Sequence, residues 1–381
     1  MIRNEELGIR NFASSIPDCS DNSSLLTPHS SLLIAMSGGV DSSVSAFLMT
    51  QKYKSCKGAT MLLFLNEALG ISSRHPCCSL DNIRDAKKIC ELLGIEHEVL
   101  NFMADFEDRV IKKFVSVYET GGTPNPCIDC NRFMKFDMLL RDSPRVATGH
   151  YAKIKRDSSG RYLLYKAKDL ARDQSYVLYM LTQEQLSRVE FPLGDMKKSE
   201  VRDLAEELNF INARKHDSQD ICFVPDGDYG KFIESYTGKE YPAGNFVDTS
   251  GKILGTHKGI IHYTAGQRRG LGVAAKSRLY VSKIDGASNT ITLASEGEEI
   301  LYCNRLRATG VNLIAFDKLP PNFRASVKTR YRQKEIPAVI NQVADDEMII
   351  EFQTPQKVPA YGQAAVIYDG DLIIGGGTIA R

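Results

Sequence analysis

The sequence predicts a doubly wound α/β fold with a parallel sheet, followed by a small central module and a C-terminal β-barrel. Three observations predict this organisation. Apolar runs alternate with helical periodicity from residue 32 to residue 148, which is typical of a parallel sheet with helices on both faces. After residue 214 the periodicity fades into a stretch rich in Gly, Asp, Tyr and Lys. From residue 279, short alternating runs separated by turn residues indicate the strands of a barrel or sandwich.

The first strand and helix enclose a glycine loop. Leu32 to Met36 is a short apolar run, typical of a buried strand, and Ser37, Gly38 and Gly39 then form a turn. We expect Asp41 or Ser42 to cap the helix that follows over 43–52. Free backbone N–H groups and the positive end of the helix dipole meet at such a junction, so it can bind an anion. No Gly-Lys-Ser/Thr follows the glycines, which excludes a Walker P-loop.

The other elements of the α/β part follow in order. Strands are expected over 58–65, 96–100 and 145–148, and helices over 81–93, 104–118, 131–140, 182–189 and 198–208. Thr182 and Gln185 have the spacing of a capping box. Ligands bind at the carboxyl ends of the strands in such sheets. The glycine loop, Met61 and the pair Gly149–His150 all fall at these ends.

The C-terminal part is expected to be all β. Strands are predicted over 280–284, 290–293, 325–331, 338–343, 348–352, 364–368 and 372–374. We therefore divide the chain into an extension (1–30), an α/β domain (31–214), a central module (215–278) and a β-barrel (279–381). The extension is Ser- and Asn-rich and acidic, which argues against a mitochondrial presequence, and we interpret it as flexible.

Composition narrows the classes of partner and compartment. A chain of 381 residues, 43% hydrophobic and 25% charged, has enough apolar material for two or three cores. The net charge of +1 means that any nucleic-acid contact must come from local patches. No apolar segment reaches the roughly 20 residues that cross a bilayer, so we expect no membrane partner. Nine cysteines without a signal peptide favour a reducing, cytoplasmic compartment.

Two stretches carry thiols in unusual surroundings. Cys127 and Cys130 form a CxxC after the two prolines of Thr123-Pro-Asn-Pro, and we expect it just before a helix. The dipole of a helix N-terminus favours the thiolate and therefore nucleophilic chemistry. Half of a zinc site is the other interpretation, but no second CxxC is present, and the role of Cys77 and Cys78 stays open. Cys222 follows a polar, acidic run, which is unusual for a core strand and fits a loop near an active site.

These stretches together resemble a known family. The glycine loop resembles the Ser-Gly-Gly-x-Asp-Ser loop of the ATP pyrophosphatases, which have an adenine nucleotide alpha hydrolase-like fold. The whole chain from about residue 31 resembles the tRNA-specific 2-thiouridylases. The matching blocks are Ser37–Ser42, 123–126 with Cys130 and Asn131, 147–151, 172–176, 220–223, 266–272 and 328–333.

The resemblance implies an activity and a set of site residues. The expected reaction is adenylation of the 2-oxygen of the wobble uridine by ATP, with Mg2+ on the phosphates, followed by sulfur transfer from a cysteine persulfide. Cys130 is the implied nucleophile, and Cys222 the implied second cysteine that resolves the persulfide as a disulfide. The implied ATP-binding residues are Ala35, Met36, Ser37, Gly38, Gly39, Val40, Asp41, Ser42, Met61 and Gly149. The implied tRNA and base contacts are His150, Arg172, Asp173, Gln174, Arg330, Tyr331 and Gln363.

One departure from the family pattern leaves a second chemistry open. Many relatives have Asp at the position of Cys127, so this loop offers an additional thiol. Cys127, Cys130 and Cys222 could together ligate an iron–sulfur cluster, because thiolates are its usual ligands. Sulfide would then come from the cluster. In the persulfide route, the implied partners are tRNA and a sulfur-donating protein, either a cysteine desulfurase or a relay protein.

Two features bear on the choice between functions. Alternation predicts that Lys328, Arg330 and Arg332, in or beside strand 325–331, share one face. Such a face is often merely solvated, but it also suits phosphate contacts. An ATP pyrophosphatase that acts on a small molecule would need no cysteine. A metal-binding, non-catalytic tRNA-binding protein would need no ATP. The coexistence of a nucleotide loop, paired thiols and a basic β-module favours the thiolation function.

Overall fold

The computed structural model describes residues 31–65, 80–141, 143–217, 221–224 and 226–381. The predicted extension over residues 1–30 and the pair Cys77–Cys78 lie outside the described residues. Within the described ranges, every helix is too short or too polar to cross a membrane.

The elements are numbered here in chain order. The strands are β1 (Leu32–Ala35), β2 (Cys56–Leu62), β3 (Glu96–Asn101), β4 (Arg145–Ala147), β5 (Ala152–Arg156), β6 (Tyr162–Lys166), β7 (Val189–Glu190), β8 (Gly244–Val247), β9 (Ile253–His257), β10 (Leu279–Asp285), β11 (Thr290–Ser295), β12 (Tyr302–Leu313), β13 (Phe323–Lys328), β14 (Ile336–Ala344), β15 (Glu347–Lys357), β16 (Ala364–Asp369) and β17 (Leu372–Ile379). The helices are α1 (Val40–Lys52), α2 (Leu80–Leu92), α3 (Met103–Phe106, Glu107–Ile111 and Lys112–Glu119), α4 (Pro126–Asp129, Cys130–Met138 and Leu139–Arg141), α5 (Gln183–Arg188), α6 (Lys198–Glu207) and α7 (Tyr229–Thr237). The middle segments of α3 and α4 are π-helical.

The parallel sheet that the alternation predicts is confirmed. Its strand order is β3-β2-β1-β4-β7, and all four pairings are parallel. The helices pack on it because each has one apolar face; in α2 that face is Ala86, Ile89 and Cys90. The capping box of α5 is also confirmed, since the side chains of Thr182 and Gln185 each bond to the backbone of the other. The carboxyl edge of this sheet holds the glycine loop.

A second sheet corrects the predicted extent of the barrel. Strands β10 and β11, which were expected to begin the barrel, pair instead with β8 and β9 in the order β10-β11-β8-β9. Alternation identifies a strand but not its partner, so the sequence pattern could not separate these two strands from those of the barrel. Helix α7 precedes this sheet, in a stretch where the sequence shows little periodicity.

The predicted C-terminal barrel is confirmed as a closed barrel of six strands. The order is β12-β15-β14-β13-β16-β17, and β12 also pairs with β17, which closes it. The hairpin β5–β6 extends this sheet, because Leu164 and Tyr165 of β6 pair with β17. A segment that lies between β4 and β7 of the parallel sheet in sequence therefore joins the barrel, and the two units share backbone hydrogen bonds.

An aromatic cluster lies where α3, α4, α7 and the second sheet meet. Phe106, Phe114 and Phe223 are almost fully buried in it. Phe223 packs edge-on against both other rings, at centroid distances of 5.7 Å to Phe106 and 5.2 Å to Phe114. Aromatic pairs of this geometry contribute about 0.5–1.5 kcal/mol each beyond the burial of their area. The cluster therefore fixes the segment 221–224 against helix α3.

Candidate active site

The glycine loop turns tightly around the hydroxyl of Ser42. This hydroxyl donates to the carbonyl of Gly39 at 2.9 Å and accepts from the amide of Ser37 at 3.2 Å. Gly38 has φ +75°, and a Cβ there would lie 2.3 Å from the carbonyl oxygen of Asn82, so only glycine fits. Ser37 is exposed and Gly39 half-buried, so the open side of the loop faces solvent.

The start of α1 differs from the expectation in a way that favours anion binding. Gly39 is the N-cap and α1 begins at Val40, so the prediction that Asp41 or Ser42 caps the helix is wrong. No side chain caps the first turn of this helix. Its first amide groups thus point to the open side of the loop, as at other anion sites on helix N-termini. Gly149 closes one wall, because a Cβ there would lie 2.9 Å from the carbonyl carbon of Asp41.

A buried ammonium holds the carboxylate of this loop. Lys198, only 7% exposed, places its Nζ 2.7 and 2.8 Å from the two carboxylate oxygens of Asp41. The hydroxyl of Tyr151 donates to the same carboxylate at 2.8 Å. Lys198 Nζ also lies 2.8 Å from the carboxylate of Asp217. One cation therefore joins the glycine loop to the segment that precedes Cys222.

Two guanidinium groups complete this charge network. Arg172 and Arg202 lie 2.9 and 3.0 Å from the carboxylate oxygens of Asp217. Burial opposes ionisation of Asp217, but Lys198 and the two arginines outweigh it, and together they hold the pKa of this carboxyl below its usual value. The guanidinium of Arg172, which the resemblance assigns to tRNA, is thus engaged in an ion pair, although its side chain is still 40% exposed.

The CxxC lies inside a helix rather than before it. Helix α4 begins at Pro126, a favoured first position because proline lacks the N–H that would stay unpaired there. Cys127 is therefore in the first turn and exposed, while Cys130 opens the π-helical segment and is half-buried. The prediction of a helix over 131–140 placed its start five residues too late.

One hydrophobic core contacts Cys130, Cys222 and Met61. All three are half-buried and pack against the aromatic cluster. Their neighbours in sequence anchor them: Met134, one turn after Cys130, and Phe223, directly after Cys222, are almost fully buried there. Both implied sulfur-bearing residues therefore pack against the core that Leu63 and Phe64 join directly after β2.

The described part of the chain holds no set of ligands arranged for an iron–sulfur cluster. No group of three or more Cys, His, Asp or Glu side chains among these residues is arranged to hold a metal ion. The described residues include Cys127, Cys130 and Cys222. A Mg2+ ion, by contrast, is bound through one or two carboxylates together with substrate phosphates, and Asp41 beside the anion loop fits that requirement.

His150 follows β4 at the carboxyl edge of the parallel sheet and is buried and neutral. Its Nδ1 lies 2.7 Å from the hydroxyl of Thr148 and its Nε2 lies 3.4 Å from Nζ of Lys135. A lysine ammonium can only donate, so Nε2 accepts and the proton is on Nδ1. Burial, and then the charge of Lys135, hold the pKa of His150 well below 6.5. Lys135 comes from α4, five residues after Cys130, a neighbour that sequence spacing did not single out.

Hydrogen bonds to backbone groups engage three more of the implied tRNA contacts. The side chains of Asp173 and Gln174 hold their own loop: the Asp173 carboxylate accepts from the amide of Ala167 at 3.0 Å, and Gln174 Oε1 accepts from the amide of Tyr151 at 2.9 Å. Tyr331 donates to the backbone carbonyl of Asp173 at 2.8 Å. Burial first, and then the charges of Asp173 and Cys127, raise the pKa of Tyr331. The exposed turn after β13 is therefore joined to the loop that carries Asp173.

The prediction that the basic residues share a strand face is wrong in one respect. Strand β13 ends at Lys328, so Arg330 and Arg332 lie in the turn that follows, not on the strand. The Lys328 side chain is only 16% exposed, with its Nζ 4.9 Å above the ring of Tyr368. Arg330 is exposed and its guanidinium lies against Gly266, at the start of a turn that carries the exposed Arg268 and Arg269. The basic surface is therefore a patch between barrel and central module.

Three family models match successive parts of the chain. They are described as a tRNA methyl transferase HUP domain (residues 30–226), a tRNA methyl transferase PRC-barrel domain (230–295) and an aminomethyltransferase β-barrel domain (304–379). The first match spans the parallel sheet and the glycine loop. Fold and loop thus define a nucleotide-binding protein of the HUP-domain class.

Individual relatives identify the family within that class. The tRNA-specific 2-thiouridylase MnmA 1 of Thermoanaerobacter sp. (strain X514) is 46% identical over 357 residues, which cover 92% of this chain and 98% of that protein. The tRNA-specific 2-thiouridylase of Acetivibrio thermocellus is 46% identical, with 91% and 98% covered, and that of Clostridioides difficile (strain 630) is 43% identical, with 92% and 98% covered. The chain belongs to the tRNA-specific 2-thiouridylase family.

Replacing the buried ammonium should destabilise the protein. We expect Lys198→Met to lower the free energy of unfolding by roughly 2–4 kcal/mol, because two partly buried carboxylates would lose their shared cation. Urea unfolding without nucleotide measures this effect. Lys197→Met changes an exposed neighbouring lysine and is the matched control. Equal stability of the two variants would contradict the role given to Lys198.

The neutral state of His150 predicts a pH dependence of stability. The unfolded chain binds a proton on this residue below about pH 6.5, whereas the folded chain does not, so stability should fall as the pH decreases from about 7 to 5. The contribution is at most about 1.4 kcal/mol per pH unit. His150→Gln should remove that part of the slope, and exposed His216→Gln should leave the slope unchanged. A wild-type slope in His150→Gln would show that the imidazole is protonated when folded.

Proposed function

We propose that this chain replaces the 2-oxygen of the wobble uridine in tRNA by sulfur, with consumption of ATP. Two observations carry the proposal: Met61, Cys130 and Cys222 pack against one hydrophobic core, and the glycine loop leaves the first turn of α1 uncapped. The relatives that match nearly the whole chain are called tRNA-specific 2-thiouridylases. Methyl transfer, named in the family-model description, would need neither an ATP loop nor a pair of thiols.

The first half-reaction activates the base. ATP lies with its phosphates on Ala35–Ser42 and its adenosine towards Met61 and Gly149. The uridine 2-oxygen attacks the α-phosphorus and pyrophosphate leaves, stabilised by the amide groups of the loop and the first turn of α1. Asp41 is the carboxylate that would hold Mg2+, whose charge offsets that of the phosphates. Asp41 must then give up part of its ion pair with Lys198.

The second half-reaction moves sulfur. A sulfur-donating protein, a cysteine desulfurase or a relay protein, first loads Cys130 as a persulfide. Its terminal sulfur attacks the 2-carbon of the base, and the adenylated oxygen leaves as AMP. The thiol of Cys222 then attacks the inner sulfur of Cys130. The sulfane sulfur is reduced to the thione, the two thiols are oxidised to a disulfide, and a reductant restores them.

The tRNA contacts are assigned to two surfaces. His150 lies beside the base, which must be turned out of its stack to expose its 2-carbon. Arg172, Asp173, Gln174, Arg330 and Tyr331 contact the tRNA around it, with the central module and the barrel on either side. Arg330 stands with Arg268 and Arg269, so phosphate groups meet three neighbouring guanidinium groups. We place the reaction in the cytoplasm.

The thiol roles predict a specific loss. We expect Cys130→Ser to bind tRNA as the wild type does but to form 2-thiouridine at least about 1,000-fold more slowly, since the nucleophile is removed. Nucleoside mass spectrometry after incubation with ATP and a persulfide donor measures the product. Cys303→Ser, at a half-buried cysteine on β12, is the control that should retain activity. Turnover by Cys130→Ser would refute the assignment.

The basic patch predicts a change in salt dependence. Replacing Arg268 and Arg330 together by Gln should weaken tRNA binding and reduce the slope of log K against log[salt] by about 1–2, because each phosphate contact contributes slightly less than one. Filter binding over a range of salt concentrations measures the slope. Arg305 and Arg307, which pair with carboxylates on the barrel, provide a double control of equal charge change. An unaltered slope in the first double variant would place the tRNA elsewhere.

A further inference from the structure

We propose that Gln363 is a positioning residue that holds the loop leading to Cys130 against the barrel. The loop is residues 120–125, here called the approach loop. This inference deepens the proposed function and rests on it. The resemblance assigns Gln363 to tRNA contact only, whereas its side chain in this structure is bonded to the approach loop.

The amide of Gln363 uses both of its N–H groups on this loop. Its Nε2 lies 2.9 Å from the carbonyl oxygen of Thr123 and 3.1 Å from that of Pro124. A side-chain amide has two donor hydrogens, so the two carbonyls account for all of them. A third bond runs the other way, from the amide of Thr123 to the carbonyl of Tyr361 at 2.9 Å. These three hydrogen bonds join Thr123 and Pro124 of the approach loop to the barrel.

The barrel side of this contact is itself fixed. The amide of Ile379, at the end of β17, donates to the carbonyl of Gln363 at 2.7 Å, and the amide of Gly362 donates to the carbonyl of Ile379 at 2.9 Å. Tyr361 donates to the carbonyl of Thr120 at 3.2 Å, and the guanidinium of Arg381 stacks on its ring at 4.3 Å. Gln363 is therefore anchored to a strand of the closed barrel and does not move freely with the loop.

The position of the contact makes it relevant to the nucleophile. Helix α4 begins at Pro126, two residues after the second bonded carbonyl, and Cys130 follows one turn later. Prolines at 124 and 126 remove two backbone donors from this stretch, so it has little means of fixing itself. The direction in which α4 starts, and with it the place of Cys130 beside the base, then depends on Gln363. A displacement of about 1 Å in a reacting group can cost on the order of 100-fold in rate.

Gln363→Met tests this role, since methionine has a similar size but no donor. We expect the rate constant of sulfur transfer at saturating tRNA to fall by about 10–100-fold, while the KM for tRNA stays within about 3-fold and the melting temperature stays near that of the wild type. Iodoacetamide should alkylate Cys130 of the free enzyme several-fold faster, because the half-buried thiol becomes more accessible. Gln356→Met is the matched control, since the Gln356 amide bonds only within its own strand, to Thr354.

Each other outcome would overturn the proposal. A raised KM with unchanged rate constant and unchanged alkylation would make Gln363 a tRNA contact only. A lowered melting temperature with parallel loss of tRNA binding would make it a general structural residue. If the methionine variant does not fold, Gln363→Asn keeps the amide but shortens its reach, and the same readouts apply. Alkylation needs no turnover, so a wild type that forms no 2-thiouridine would defeat the proposed function while the positioning role is still measured.

Discussion

Burial of Phe223 among the aromatic rings of α3 is the interaction on which the arrangement of the site depends. Edge-on contacts to Phe106 and Phe114 fix the segment 221–224 beside α3 and α4. Burying one such ring contributes roughly 1.5–3 kcal/mol, enough to hold a short irregular segment whose backbone has no regular partners. Cys222 precedes this anchor by one residue. Cys130 reaches the same cluster from α4, so two distant, thiol-bearing parts of the chain pack against one core.

A second constraint is electrostatic and links this core to the anion loop. The ammonium of Lys198 lies between the carboxylates of Asp41 and Asp217, and the former belongs to the loop while the latter precedes Cys222 by five residues. Removing charges from water is costly, and such a cluster is tolerated because each charge has an opposite partner at hydrogen-bond distance. The network therefore couples the glycine loop to the segment that leads to Cys222. In the proposed reaction, nucleotide binding adds negative charge next to this network and must redistribute its contacts.

Local signals in the sequence predicted much of the fold and of the loop. The run from Leu32 to Ser42 contains its own strand, turn and helix start, and the capping box at Thr182 needs no distant partner. Long-range pairing escaped prediction: β10 and β11 alternate like barrel strands, but β11 pairs with β8 and joins both strands to a separate sheet. The strand predicted to reach Tyr331 ends at Lys328, because Thr329 bonds to Gln333 through its amide and its hydroxyl and forms a turn. Nothing in the sequence indicated that Lys198 is buried, since a lysine at a helix start is ordinarily solvated.

The most direct test of the account follows the oxygen that sulfur replaces. A tRNA with 18O at the 2-position of the wobble uridine is incubated with the enzyme, ATP and a persulfide donor, and the released AMP is analysed by mass spectrometry. If the anion loop activates this oxygen by adenylation, the phosphate of AMP carries one 18O for each 2-thiouridine formed. Label released into water, with unlabelled AMP, would contradict adenylation of the base and with it the function proposed for this site.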